Sequence, residues 1–189
     1  MKATPKAALI TVVALATLSV QGKFIDVKRS TITIHVGKAG LFSAAGHEHW
    51  VNAPITSGSI NDSEAPSVEF KVAAAKMQVK PDPKVDSKTH AEIQRDMQAK
   101  VLESGKYPDI VFRSSRVHGI SDGQWKVDGT LTLHGVTKPV SIVVKRSGDS
   151  YVGEAVIKQT DFSIKPITVG GGLVKVKNEL EIAFRITPL

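Results

Sequence analysis

Three observations predict an antiparallel all-β fold with one inserted helix. Hydrophobic residues alternate with period two along most of the chain, short turn signals join the alternating runs, and a single central stretch has helical period instead. At 189 residues, 41% of them hydrophobic, the chain has material for one good core and little for two, so one domain is expected. A series of amphipathic strands must bury one face, and a sandwich or a closed barrel does so. The alternation alone does not choose between them.

The strands follow in order. In STITIHV, residues 30–36, Ile32, Ile34 and Val36 share a face; in SVEFKV, 67–72, Val68, Phe70 and Val72 do. WKVDGTLTL places Trp125, Val127, Leu131 and Leu133 on one side and Asp128, Thr130 and Thr132 on the other. PVSIVV aligns Val140, Ile142 and Val144, and the last run keeps one parity through Val174, Val176, Leu180, Ile182, Phe184 and Ile186, broken only at Asn178. Asp122-Gly123, Arg146 to Ser150 and Gly135 to Pro139 read as tight turns, which makes their flanking strands antiparallel neighbours. The polar stretches 61–67 and 80–88 read as loops.

The helical stretch is THAEIQRDMQAKVLESG, 89–105. Thr89 and Glu92 form a capping-box pattern, Ile93, Met97 and Val101 recur every four residues, and Gly105 ends the run. Its apolar stripe needs a partner, for which a barrel mouth or sheet flank suffices. Tyr107-Pro108 then forces an extended exit into DIVF.

The first residues have the three regions of a secretory signal: Lys2 and Lys6, an apolar run from Ala7 to Val20, then small and polar residues. The run is short for a bilayer span. An export signal over 1–22 is therefore expected, cleaved at Val20-Gln21-Gly22, with Ala14-Leu15-Ala16 competing and a retained anchor the alternative. The mature domain is then 23–189, in the periplasm or secreted. Removal of Lys2 and Lys6 lowers the formal net charge of +7 by two. Lys76, Lys80, Lys84 and Lys88 read as a solvated rim with weak attraction to anionic membrane surfaces, not as a nucleic-acid site, because no stacking aromatics are interleaved with them. The absence of cysteine excludes disulfides, thiolate metal sites and thiol nucleophiles.

KYPDIVFRSSRV at 106–117, VDGTLTLHGVTKPVSIVVK at 127–145, DFSIKP at 161–166 and VKVKNELEIAFRI at 174–186 together resemble the YceI-like family of bacterial polyisoprenoid-binding proteins. The run from Leu131 to Val140 is the most specific part, and FIDVKRSTITIHV at 24–36 fits the family's opening. The resemblance implies an eight-stranded antiparallel lipocalin-like barrel, a helix near one end, and an apolar interior that holds an isoprenoid tail, quinone or polyprenyl, with no cofactor and no catalysis. A barrel of that size has room for its own side chains or one slender ligand. The chain departs from the family in lacking a Phe-Phe pair between Arg95-Asp96 and Tyr107-Pro108, and in carrying Ser163 where a glycine is usual. These departures, with a Gly-His-x-His segment at 46–49, resemble a divergent subgroup.

On this reading the wall of the interior is expected to include Ile34, Phe70, Phe112, Trp125, Leu131 and Leu133. Ile142, Phe162 and Phe184 join it, Ile93 and Met97 could touch a ligand although they first anchor the helix, and Phe42 could gate one end. Trp50 is expected in the core or at a mouth, and His134 is expected to be held at a strand end by a hydrogen bond. The alternative is a metal-binding protein or metal-dependent hydrolase built on His47 and His49. In an extended backbone these face one way and Glu48 the other, and His35, His90, His118 or His134 would supply a third ligand. A third reading is a barrel filled by its own side chains that acts through its surface. The sequence carries no nucleophile elbow, zincin or phosphate-loop motif, and VGGGLV at 169–174 precedes a strand and reads as a hairpin turn. A monomer and a dimer both remain open.

Overall fold

Alternating runs become strands only where neighbours satisfy their backbone groups, and here nearly every run finds two neighbours. The computed structural model describes residues 22–39, 48–63, 65–169 and 174–189. Its strands are β1 (Lys23–Phe24), β2 (Thr31–Ala39), β3 (His49–Asn52), β4 (Ile55–Asn61), β5 (Ser67–Ala73) and β6 (Gln78–Val79). After the helix α1 (Ser87–Asp96) come β7 (Asp109–Ser121), β8 (Gln124–Leu133), β9 (Val136–Ser147), β10 (Ser150–Lys158), β11 (Thr168–Val169) and β12 (Val174–Ile186). All pairings are antiparallel, in the order β1-β4-β5-β7-β8-β9-β10-β12-β2-β3-β6, with β11 on β12. The expected signal at 1–22, apart from Gly22, lies outside the described residues, as do Phe42, His47 and the glycines at 170–172.

The expectation of eight strands is corrected. Among the described residues the sheet has twelve, eleven of them on one continuous path. The difference has a local cause: β3 and β4 are one run interrupted at Pro54, which has no N–H to continue the ladder, and β1, β6 and β11 are two-residue strands too short to show a period. Because β3 pairs β2 while β4 pairs β5, the continuous chain through Ala53 and Pro54 carries the sheet round on itself. Ala53 N–H donates to Ile32 O at 2.9 Å at this corner. The chain ends are tied together by an Ile25–Pro188 bridge and by Asp26 N–H donating to Thr187 O at 2.8 Å.

Two further expectations shift. The third turn is His134-Gly135 rather than Gly135 to Pro139, with φ of 51° and 73°, the positive pair that a two-residue hairpin turn requires. Pro139 is inside β9 opposite Thr130. Gly135 is needed for space as well, since a Cβ there would stand 2.7 Å from the Tyr107 ring. Thr89 does not cap the helix: Asp86 does, accepting from Lys88 N–H and Thr89 N–H, and the Thr89 hydroxyl that donates to it holds its carboxyl below the usual range.

Helix α1 runs on as a π-helical turn over Met97–Val101. Ile93, Met97 and Val101 pack on the core, as their spacing predicts, but polar bonds also seat the helix. Gln94 accepts from Val79 N–H at 2.8 Å and donates to Met77 O, and Gln98 donates to Ala74 O, each at 3.0 Å. At Asn178 the β2–β12 register shifts, and the side chain leaves the sheet to bond Thr160 through both its oxygen and its nitrogen. The break in parity is thus a β-bulge that anchors the turn Gln159–Phe162.

Candidate ligand cavity

Residues on β4, β5, β7, β8, β9, β10, β12 and β2, mostly of one parity in each strand, line a cavity of about 740 Å³, within the size range of small-molecule sites. Most of its wall is aliphatic or aromatic. Ile34, Phe70, Phe112, Trp125, Leu131, Leu133, Ile142, Phe162 and Phe184 all line it. Phe70 and Phe112 stack with centroids 5.4 Å apart across β5 and β7, forming one flat stretch of wall.

Ile93 and Met97 do not line the cavity; they lie against the buried core beneath α1, because the helix sits over the β3–β6 corner and only its last residues, Val101 and Leu102, reach the interior. At that end Met77, Leu133, Phe162 and Ile164 close the wall. The antiparallel register puts Asn61, Asp62, Ser63 and Ser67 at the opposite end with Trp125 and Tyr151, whose rings meet edge to face at 5.6 Å. Tyr151 was not singled out from sequence, although its parity with Ile157 carries the signal.

In the described part of the histidine segment Glu48 and His49 point to opposite faces, as an extended backbone requires, and His47 lies outside the described residues. Trp50 is on the outer face, 45% exposed, and stacks on His35 with centroids 4.7 Å apart; it neither enters the core nor lines the mouth. Glu48 shares that face and meets His35 Nε2 at 3.2 Å, while Glu181 meets Nδ1 at 3.1 Å. The two carboxylates therefore approach opposite edges of one ring and do not converge on a common point. His49 is opposite Val36, on the other face of β3.

The remaining described histidines are dispersed. His90 Nε2 meets Val79 O at 3.0 Å, His118 is exposed on β7, and His134 Nε2 meets Glu103 at 2.7 Å beneath the Tyr107 ring. Among the described residues, no three His, Asp or Glu side chains are grouped to hold a metal ion.

The bonds to Glu181 and then Glu48 raise the pKa of His35 above its ordinary value against the opposing effect of burial. A raised folded pKa means that protonation favours the folded state. The contribution is complete below the unfolded value of about 6.5 and is lost as the pH rises through the folded value. His35→Gln should therefore destabilise more at about pH 5.5 than at about pH 8.5 in urea unfolding. An equal loss at both pH values would show that the charge on His35 is not used.

The comparisons with known proteins agree with this geometry. The YceI-like domain model matches residues 24–187. A UPF0312 protein of Vibrio parahaemolyticus is 29% identical over 124 residues, 60% of this chain and 65% of the relative. One from Pseudomonas savastanoi pv. phaseolicola is 32% identical over 106 residues, 50% and 53% of the two chains. The chain thus spans between about half and two thirds of the length of these relatives. Among solved structures, a polyisoprenoid binding domain from Saccharophagus degradans superposes with a TM-score of 0.61 at 16% identity, covering 89% of this chain and all of that one. BcnA of Burkholderia cenocepacia gives 0.59 at 18%, covering 87% and 99%. At these identities the likeness concerns the fold: an antiparallel sheet curled round an apolar interior with a helix at one end. The family match runs from Phe24 in the first strand to Thr187 beyond the last, across every strand that walls the cavity, and the chain belongs to the YceI-like family.

Proposed function

We propose that the protein is an exported, non-catalytic lipid carrier that holds the tail of a polyisoprenoid, a quinone or polyprenyl lipid, in the cavity. The observation that carries this reading is the 740 Å³ interior itself, bounded by the inward faces of eight strands. An isoprenoid tail gains about 0.8 kcal/mol for each methylene-sized unit it removes from water, and a preformed cavity spends little of that on rearrangement. The description of the Saccharophagus neighbour as polyisoprenoid binding supports the ligand class. The Lys2, Lys6 and Ala7 to Val20 pattern supports export to the periplasm or medium.

Native mass spectrometry of the mature protein, purified gently from bacterial envelope and followed by organic extraction, tests the reading. The expected result is one extra mass that extracts as a prenyl lipid. A bare chain that also fails to take up added prenyl lipid, or a chain carrying one metal ion and no lipid, would overturn it.

A further inference from the structure

The wall of the cavity is open on one side. β9 pairs β8 along almost its whole length, from Val136 to Lys145, but pairs β10 only from Val144 to Ser147. β10 in turn pairs β12 from Tyr151 to Lys158. Residues 136–143 of β9 and 154–158 of β10 therefore face each other without a ladder. Pro139, Val140 and Ser141 on one edge, and Ala155, Val156 and Ile157 on the other, line the cavity. The parting begins at Gly153, where the Phe184 ring occupies the space a side chain would need; a Cβ there would stand 2.5 Å from Cζ. The slot ends at the turn Gln159–Phe162.

One charge stands on the inward parity of this edge. Val136, Val140, Ile142 and Val144 share a face with Lys138, which lines the cavity and lies opposite Leu131. Counting the register on from Val144–Gly153 brings Lys138 opposite Gln159 and Pro139 opposite Lys158, so both lysines stand at the end of the slot beside the turn Gln159–Phe162. Asp161 also lines that end, yet neither lysine pairs with it or with any other carboxylate among the described residues. Gln159 is buried there, its Nε2 donating to Lys177 O at 2.8 Å.

Resting on the carrier reading, the geometry points to the β9–β10 slot as the side entrance for the lipid tail, with Lys138 as the group that holds an anionic headgroup, a phosphate or diphosphate ester, at its rim. The tail passes between the two strand edges into the cavity, and the charged head stays outside in water beside Lys138 and Lys158.

Calorimetric titration of the mature protein with farnesyl phosphate and with farnesol separates head from tail. Lys138→Gln should weaken farnesyl phosphate by about tenfold, the scale of one charge-assisted hydrogen bond. It should leave farnesol unchanged, and Lys138→Arg should restore the phosphate affinity. Equal effects on both ligands, or none on either, would overturn the headgroup assignment and leave Lys138 a guard of an open strand edge. Inorganic phosphate alone should not bind; binding that Lys138→Gln removes would assign the lysine to a free anion instead. For the entrance, Val156→Trp should slow stopped-flow association of farnesol. Ser67→Trp at the opposite end should slow it less, and an equal or reversed order would overturn the slot as the entrance. A wild-type protein that binds neither farnesyl compound would overturn the carrier reading itself, and this inference with it.

Discussion

Phe162→Ala is expected to cost about 3–5 kcal/mol of folding stability, the range for deleting a buried aromatic side chain. Phe162 is 2% exposed, although its backbone is in a short surface turn, and it belongs to the core cluster with Leu133 and Ile164. The turn cannot simply follow a smaller side chain inward. Ser163 is left-handed with φ 59°, Ile164 N–H donates to Gln159 O at 3.1 Å, and Asn178 holds Thr160 from the bulge in β12. The void would therefore persist, joined to the ligand cavity. Urea unfolding should show a lower midpoint with the slope retained, and a saturating prenyl lipid should recover part of the loss by mass action. A loss below about 0.5 kcal/mol, typical of a surface substitution, would mean that the ring does not close this end of the cavity.

Much of this architecture was legible because strand period and barrel wall are the same signal. Trp125, Val127, Leu131 and Leu133 alternate in sequence and line the cavity in space, since a sheet that curls round one interior presents the same face throughout. What failed was local. Pro54 cut one run into two strands, and two-residue strands carry no period, so the strand count could not be read from alternation. Asp86 took the cap from Thr89 because an aspartate at that position reaches two backbone N–H groups directly. Ile93 and Met97 belong to the half-buried stripe by which the helix packs on the core, but a stripe does not tell whether it faces a core or a cavity.

The histidine segment shows a limit of another kind. Alternation tells which way Glu48 and His49 point, whereas the partner of Glu48 is His35, thirteen residues earlier on β2, which only the β2–β3 register brings within reach. The β9–β10 slot was invisible for the opposite reason. PVSIVV on β9 alternates cleanly, and nothing in one strand's pattern tells that its neighbour has parted from it; Pro139, which cannot donate to a ladder, was the single residue in that run carrying the signal.

Leu131→Trp should weaken uptake of a long prenyl lipid by about a hundredfold while costing little stability. Leu131 is near the C-terminal end of β8, opposite Phe112 on one side and Lys138 on the other, with its side chain toward the cavity. In a close-packed interior the larger ring would force neighbours off their rotamers and cost about 1–3 kcal/mol. Here the added atoms have a cavity of about 740 Å³ to enter, and they take volume and contact area from the ligand. Each methylene-sized unit of tail kept out of the cavity forfeits about 0.8 kcal/mol, so exclusion of three or four units would weaken binding by about a hundredfold. Paired measurements of the urea midpoint and of prenyl-lipid affinity distinguish the cases. A near-wild-type midpoint with lost affinity is the outcome of a working cavity. A lowered midpoint in a protein whose wild type takes up no lipid would mean that the interior is filled in solution by its own side chains and that the protein acts through its surface.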